Sequence, residues 1–501
     1  MRRIFLLLLI VFTLFITWGC VYTSTEKVPP KEINLLYPPK DNFKVETNLT
    51  LFWDIPSGRE FQPKNFKVFI SDNRNDVLNM TTDYYTISTN DSNACLDYVS
   101  NICLMKVPFR LKKDTEYYWR VVAYDESYGS FPGPVWRFKT NNLKINLSKV
   151  LPYDYPNSII SDSNGFVIGT SKGYGSAVDV EKLDYSGNII WKISEDSWTV
   201  KLKRLPDGGY AACFGQKLAK ISESGSILKE RNISGDCESL AIENSNLYVA
   251  YREISGTIRI DVFDKNFDKI ETHVMPSDVN NIIKFFVDSD DTFVILGNGL
   301  NPEGEQRSYV IKVDDTGGVV WGFSNDEVKI ITDMINVEDG YILVGTQGNN
   351  MIIAKLLKSG SEAWKKVYSR FSDSSDSDFK PLSSILIPMS VASIGKDIIV
   401  AGFSVDRNEG DVYSYFMSYP PVLDKDFDAF VAKLNEDGNI ISLEKFGGSK
   451  GDAGIFLQAV GDSRVIVAGI TKSNDGDVNS DIDESEFPNG AVWVFGIDIN
   501  E

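Results

Sequence analysis

Histidine is nearly absent from this chain, which limits the chemistry that its side chains can perform. Among 501 residues, His273 is the only histidine. A metal centre that needs two imidazoles is therefore excluded, and a catalytic triad with a histidine base could use only His273. We find no P-loop or dinucleotide-binding fingerprint, and we predict no catalytic residue. Paired carboxylates stay open as an alternative, because 70 acidic residues make such pairs common.

An acidic run within residues 471–490 has the spacing of a cation site. Four oxygen-bearing side chains alternate along it: Asp477, Asn479, Asp481 and Asp483. Calcium prefers oxygen ligands on a flexible turn, so the pattern predicts calcium, the one cofactor that the sequence suggests. A solvated acidic loop is the alternative, since an EF-hand would have glycine at Ile482 and glutamate at Pro488.

A second long insertion, residues 404–428, carries aromatic side chains among acidic ones. We take Tyr413, Tyr415, Phe416 and Tyr419 as candidate ligand-binding residues for a sugar or a peptide. The alternative is that about half of them pack the loop onto the domain beneath. Both insertions contain the sequence GDV, at residues 410–412 and 476–478, which indicates neighbouring positions on one face.

The N-terminus reads as an export signal. Arg2 and Arg3 precede an apolar run, residues 4–16, that is too short for a transmembrane helix. Thr17-Trp18-Gly19-Cys20 follows and resembles the lipobox of bacterial lipoproteins, which implies a lipid on Cys20. We predict a signal peptide at 1–20, a flexible tether at 21–30, and a membrane-anchored, extracytoplasmic protein of the outer membrane or cell surface. An ordinary signal peptide is the alternative.

Four further cysteines are compatible with export. Cys95 and Cys103 could close one loop, and Cys213 and Cys237 another, but four cysteines allow three pairings. Free buried thiols are equally compatible with the sequence. No pair has the C-x-x-C spacing of a zinc or thiol-redox site.

Residues 31–141 alternate apolar and polar side chains in short runs typical of an all-β sandwich. Expected strands lie at 49–55, 66–72, 84–89 and 116–125, and no helical stripe is evident. Trp53, with the pattern formed by Leu111, Thr115 and Tyr117, resembles fibronectin type III domains. That resemblance implies an immunoglobulin-like core and a tyrosine whose hydroxyl bonds to nearby backbone.

Residues 142–501 contain an internal repeat. One copy reads DGYILVGTQG at 339–348 and MIIAKLLKSGSEAW at 351–364, and six other segments follow the same pattern. Gly187, Gly317 and Gly360 each stand four residues before a tryptophan, which we expect to pack between units. Such units predict the four-stranded blades of a β-propeller. We predict seven blades, the last completed by residues 142–150, or eight if 370–390 hides another.

The repeats resemble those of quinoprotein-like propellers and of bacterial surface proteins. This resemblance implies the propeller fold but does not imply a quinone cofactor. A net charge of −19 argues against nucleic acid. We therefore predict a non-enzymatic envelope lipoprotein whose propeller binds a protein or a glycan. The alternatives are a carbohydrate-active hydrolase or lyase and a purely structural surface protein. The sequence leaves the oligomeric state open.

Overall fold

The computed structural model describes most of the chain after residue 31. The described residues are 32–38, 44–54, 63–91, 94–96, 102–126, 129–173, 177–277, 279–288, 292–300, 306–324, 330–369, 379–382, 384–406, 427–478, 480 and 487–499. Within these ranges the chain is all-β apart from one six-residue helix, and no helix is long and apolar enough to cross a membrane.

The N-terminal part, to residue 140, forms two sheets around one apolar core. One sheet has the order β1-β3-β7-β6, and the other has the order β2-β10-β8-β4-β5, with β9 beside β8. The elements are β1 (Leu35–Tyr37), β2 (Lys44–Val45), β3 (Thr50–Asp54), β4 (Asn65–Ser71), α1 (Arg74–Asn79), β5 (Tyr84–Ser88), β6 (Cys95–Leu96), β7 (Ile102–Lys106), β8 (Glu116–Asp125), β9 (Gly129–Pro132) and β10 (Trp136–Thr140). We call this part the sandwich.

Alternation explains why these strands share a core. Trp53, Phe66 and Trp119 are buried from facing strands, and the ring centroids of Trp53 and Phe66 lie 5.5 Å apart. The Tyr117 hydroxyl accepts a hydrogen bond from the Lys112 backbone N–H at 3.1 Å. Helix α1 was not expected from the sequence; the Asn73 side chain caps it, and it buries only Val77, too little to give a helical stripe.

The rest of the described chain contains seven sheets of at least four strands, the arrangement of β-propeller blades. We number them in chain order. Sheet 1 contains β12 (Tyr155–Asp162), β13 (Gly165–Ser171), β14 (Val178–Asp184) and β15 (Ile189–Glu195); sheet 2 contains β16 (Val200–Arg204), β17 (Tyr210–Phe214), β18 (Lys217–Ile221) and β19 (Ile227–Asn232); sheet 3 contains β20 (Asp236–Glu243), β21 (Asn246–Arg252), β22 (Ile258–Phe263) and β23 (Lys269–Val274).

The remaining sheets vary this plan slightly. Sheet 4 contains β24 (Lys284–Val287), β25 (Phe293–Leu300), β26 (Gln306–Val313) and β27 (Val319–Phe323); sheet 5 contains β28 (Ile330–Val337), β29 (Gly340–Gln347), β30 (Asn350–Leu357), β31 (Glu362–Ser369) and the parallel strand β32 (Phe379–Pro381); sheet 6 contains β33 (Ile385–Ile394), β34 (Asp397–Val405), β35 (Phe427–Leu434) and β36 (Ile440–Phe446); sheet 7 contains β37 (Asp452–Val460), β38 (Arg464–Thr471), β39 (Ala491–Asp498) and β11 (Lys144–Leu151).

The first strands of the sheets face one another. The first strand of each of sheets 1 to 6 contacts the first strand of the next sheet. The first strand of sheet 7, β37, contacts β12 of sheet 1. In sheet 7, β11 from the start of the repeat region pairs antiparallel with β39, placing Lys144 opposite Asp498. These contacts position the first strands around a common interior.

The repeated tryptophans pack on the turn of the following sheet, as the sequence predicted. Trp191 lies against Gly225 of sheet 2, and its Nε1–H donates to the Glu223 carbonyl at 2.9 Å. Trp321 contacts Gly360 of sheet 5 in the same way and donates to the Lys358 carbonyl at 3.1 Å. The spacing of glycine and tryptophan therefore couples neighbouring sheets.

One sheet of the sandwich is continuous with sheet 6. Strand β2 pairs in parallel with β36, with Lys44 opposite Ser442, and β10 pairs on the other side of β2. The buried Asn141 side chain donates to the carbonyls of Val45 at 3.0 Å and Leu443 at 2.5 Å. We call this contact region, from residues 44–47, 110 and 141 of the sandwich to 443–445 of sheet 6, the joint.

Candidate functional site

Several first strands carry a β-bulge that turns one side chain out of the regular alternation. The unpaired residue is Asn157 in sheet 1 and Glu238 in sheet 3. In equivalent bulges the unpaired residue is Thr332 in sheet 5 and Met389 in sheet 6. Bulges occur often beside functional sites because they redirect a side chain without ending the strand. The interior formed by the first strands is thus a candidate site.

A cavity of about 590 Å³ opens where the first strands of sheets 1 to 3 begin and the segment leading into sheet 4 passes. Its walls combine an exposed aromatic side chain, both signs of charge and two amides. The residues that define this channel mouth are Asn157, Trp198, Lys201, Glu238, Arg252 and Asn281. A concave surface with a few converging polar groups is typical of a binding site.

Glu238 is the acidic group of the channel mouth. Its Oε1 lies 2.8 Å from the Arg252 Nε, and its Oε2 accepts a hydrogen bond from the Ile282 backbone N–H at 2.5 Å. Burial raises the pKa of Glu238 above its ordinary value, although Arg252 opposes the shift. The Glu238 carboxylate is therefore already committed to structural partners within its own wall.

Lys201 and Lys203 of β16 are the basic groups of the same interior. Alternation along β16 buries Val200 and Leu202 and leaves both lysines on the other side, with part of their surface still exposed. Within the described ranges, neither ammonium has a carboxylate oxygen within the 4.0 Å of an ion pair. Burial, together with the charge of Lys284, lowers the pKa of Lys203 to about 8, and burial lowers that of Lys201.

Trp198 forms part of the rim. It precedes β16 and leaves 53% of its surface exposed, whereas Trp53, Trp119 and Trp493 are fully buried. Asn157 lies in β12, which contacts β16, and its buried Nδ2 has no hydrogen-bond partner among the described residues. The mouth thus offers one aromatic face and one unused amide donor.

A second group of charges occupies the joint. Glu444 is fully buried; its Oε1 accepts the Thr47 hydroxyl at 2.9 Å and lies 3.9 Å from an Arg110 nitrogen. Lys445 is buried beside it, with Nζ 3.2 Å from Asp406 Oδ1 and 4.0 Å from Glu46 Oε1. Both lie where the sandwich covers sheet 6, so we assign this group to holding the two parts together.

The structure describes only some of the residues predicted from the sequence. Cys20, Tyr413, Tyr415, Phe416, Tyr419, Asn479, Asp481 and Asp483 lie outside the described residues. Asp477 is described: both of its carboxylate oxygens accept from Arg110, at 3.2 and 3.1 Å. Among the described residues no cluster of three or more metal-binding side chains occurs, and the calcium site stays a prediction.

The cysteines are joined in two pairs, Cys95 with Cys103 and Cys213 with Cys237. The first pair links β6 to β7, and the second links β17 of sheet 2 to β20 of sheet 3. His273 lies buried in β23, with Nδ1 3.1 Å from the Asp315 carbonyl, and no serine or cysteine is recorded as its partner in the described part.

Sequence reasoning missed the channel mouth. The repeated phrases begin at the second strand of each sheet, so the first strands, which supply Asn157, Lys201 and Glu238, were outside the recognised pattern. The run VKLKR at 200–204 contained one usable signal. Two lysines alternate there with buried apolar residues and have no acidic neighbour in the run, which is unusual for an inner strand.

Searches with family models and among curated proteins found no match. Solved structures similar to this chain include the WD40 β-propeller domain of Doa1, with 10% identity and a TM-score of 0.45 over 72% of this chain and 98% of that one. BamB from Moraxella catarrhalis matches with 14% identity and a TM-score of 0.39 over 71% and 99%. A protein of unknown function from Bacteroides caccae matches with 7% identity and a TM-score of 0.38 over 56% and 99%.

Proposed function

We propose that this chain is a non-enzymatic binding protein of the cell envelope, held to a membrane by lipid on Cys20, and that its β-propeller recognises a partner protein at the channel mouth. The observation that carries the proposal is the channel mouth itself, with the exposed Trp198 beside two redirected polar side chains, Asn157 and Glu238. Glu238 is bonded within its own wall, an arrangement that suits recognition rather than acid–base turnover.

The proposal includes a closed ring of seven blades. Support comes from the seven described sheets, from the contacts that link each first strand to the next, and from the pairing of β11 with β39. A ring of this kind protects its inner strand edges and presents loops on two faces, which suits recognition of large partners.

The sandwich would serve as a spacer of fixed orientation. In our proposal residues 21–30 link the lipid to a fibronectin-like domain at 31–141, and the propeller follows at 142–501. The joint supports this arrangement, because it buries Glu444 and Asn141 between the two parts. A partner bound at the propeller would then lie at a defined distance from the membrane.

The two long insertions would extend the recognition surface. Within these insertions, residues 406–426 and 472–490 connect the second and third strands of sheets 6 and 7. In sheets 1 and 3 the corresponding connections begin beside Ser171 and Arg252, which line the channel mouth. This common position supports a role in the same interaction for Tyr413, Tyr415, Phe416 and Tyr419, and for calcium if Asn479, Asp481 and Asp483 hold it.

Affinity capture tests the proposal. The full chain, purified in detergent and immobilised, is exposed to solubilised envelope of the source cells, alongside the variants Trp198→Ala and Leu228→Ala. Leu228 is the matched control, since it is 60% exposed but lies on the outer strand β19. We expect one protein to bind the wild type and the control, and about tenfold less of it to bind Trp198→Ala, as for an aromatic hot spot.

Equal capture by all three proteins would contradict recognition at the channel mouth. Capture of a glycan in place of a protein would contradict the assigned partner class. Turnover of a polysaccharide by the purified chain would overturn the non-enzymatic assignment.

A further inference from the structure

We propose that the channel interior contains an oxyanion-binding site, formed by Lys201 and Lys203 together with the Asn157 amide, which accepts a carboxylate or phosphate group of the ligand. This inference rests on the proposed function, since it names the chemistry that the channel mouth recognises. Its first support is that neither ammonium has a carboxylate oxygen within 4.0 Å in the described ranges, and the carboxylate that acts on Lys201, that of Glu238, is already paired with Arg252. A buried ammonium without a counterion is costly, so the site is incomplete without an added anion.

Both lysines are directed into the interior and not along the surface. Lys201 lines the cavity directly. Lys203 lies two residues further along β16 and on the same side of the strand, since Leu202 between them is buried. Burial lowers the pKa of both ammonium groups, while part of each residue stays exposed.

Most other charges around the interior are already paired. Glu238 pairs with Arg252, and Lys284 Nζ lies 2.8 Å from Asp333 Oδ1. The Asp236 carboxylate also lines the cavity and accepts a hydrogen bond from the Gln216 amide at 3.1 Å. Two ammonium groups on β16 therefore exceed the one cavity carboxylate that has no ion pair among the described residues, and the unused Asn157 donor lines the same cavity. Ammonium and amide donors converging on one cavity favour an oxyanion.

The rim is suited to the remainder of such a ligand. Trp198 precedes Lys201 by three residues and lines the same cavity with an exposed ring. An anionic group bound at the lysines would leave the body of the ligand against this ring. The ligand would therefore combine an oxyanion with an apolar or ring-shaped portion, as an acidic side chain near an aromatic residue does.

Calorimetric titration of the full chain tests the site with two probes, inorganic phosphate and acetate, at constant ionic strength. The variants are Lys203→Met and Lys201→Met, and Lys396→Met is the control, since it removes the same charge from a surface pair with Glu436. We expect the wild type and the control to bind at least one probe, and each channel variant to bind it about tenfold more weakly. Binding of phosphate alone identifies a phosphate ligand, and binding of acetate alone a carboxylate.

Folding of the variants is not a confounding factor in this design. Replacing an uncompensated lysine by methionine removes a buried charge, so each channel variant should melt at or above the wild-type temperature at pH 7. As a second readout, the pKa of Lys203, followed by NMR of ¹³C-methylated lysines, should begin near 8 and rise when the probe binds. Probe affinity should fall as the pH rises through that value, because the ammonium is lost.

Failure of the oxyanion site is distinguishable from failure of the proposed function. If neither probe binds the wild type, or if Lys203→Met and Lys396→Met bind alike, the oxyanion site is wrong. In that case loss of the captured partner in Trp198→Ala would still support recognition at the channel mouth.

Discussion

Three carboxyl groups near the joint lie in surroundings that favour their protonated forms. Burial raises the pKa of Glu444 to about 7, that of Asp452 to about 7 and that of Asp428 to about 6. Asp406 behaves in the opposite way: burial opposes the change, but Lys445 and Lys106 hold its pKa well below the usual range. The pKa of a buried carboxyl group in this region is thus lowered where neighbouring cations dominate and raised where burial dominates.

We predict that stability falls as the pH rises from about 4 to 7. An acid whose pKa is raised in the folded state holds its proton while the unfolded chain has lost it, so the free energy of unfolding decreases across that window and levels off above it. For Glu444 the change amounts to roughly 3 kcal/mol. Urea unfolding of the wild type and of Glu444→Gln between pH 4 and 8 measures it.

The variant should flatten this pH dependence and be more stable than the wild type at pH 8. Glu436→Gln is the control, since Glu436 is exposed in a surface pair with Lys396 and should leave the profile unchanged. A Glu444→Gln profile parallel to that of the wild type would show that folding does not raise the pKa of Glu444.

At the level of elements, the glycine turns provide the surface on which tryptophan rings of the preceding sheet pack. Gly360 has a φ of +84°, and a Cβ placed there would lie 2.5 Å from a ring atom of Trp321. Gly225 with Trp191 and Gly438 with Trp364 repeat the arrangement. The glycine is thus required twice, for the backbone conformation and for the space above it.

We predict that Gly360→Ala destabilises the chain by roughly 2–4 kcal/mol, from the strained backbone and from overpacking. Gly348→Ala is the matched control in the same sheet: its φ is +58°, but no atom lies within 4 Å of the added Cβ. It should cost about 1 kcal/mol. Denaturant unfolding of both variants measures the difference. An equal decrease in the free energy of unfolding would mean that Trp321 moves away from the added methyl group at no energetic cost.

The sequence predicted the repeated elements better than the site. The second and third strands have continuous apolar runs such as DGYILVG, and glycine and tryptophan mark the outer hairpin, so their periodicity was readable. The first strands vary because they face the interior and not a repeated neighbour. Glu238 and Asn157 are also bulge residues, which interrupt the alternation that would have revealed the strand.

At the scale of the whole molecule, the joint between the sandwich and sheet 6 could not be predicted from the sequence. The sequence predicts a boundary between two domains at residue 141. Asn141 is instead fully buried and binds both parts, through the Val45 and Leu443 carbonyls. Such a linker residue cannot be recognised from its own composition, because its burial depends on a strand about 300 residues further along the chain.

We predict that the sandwich and propeller of the wild type melt in one calorimetric transition, since a sheet runs through both. Asn141→Ala removes the side-chain donor to the Leu443 carbonyl and the side-chain acceptor of the Leu143 backbone N–H, at a cost of about 1–3 kcal/mol each, while the Val45 carbonyl keeps the backbone N–H of residue 141. It should lower the melting temperature and separate the two transitions. Asn266→Ala, in an exposed turn, should leave the melting curve unchanged. Two transitions in the wild type would contradict thermal coupling through the joint.

The pairing of β11 with β39 has a consequence for the order of synthesis. Lys144 meets Asp498, so the last strand pair of sheet 7 joins chain segments about 350 residues apart. A ribosome adds residues from the N-terminus, and β11 must therefore wait, without its partner, until β39 has been made about 350 residues later. Closing so long a loop is entropically unfavourable and slow. Residues 491–498 thus complete sheet 7, and a nascent chain halted before Ala491 would leave β11 as an open edge.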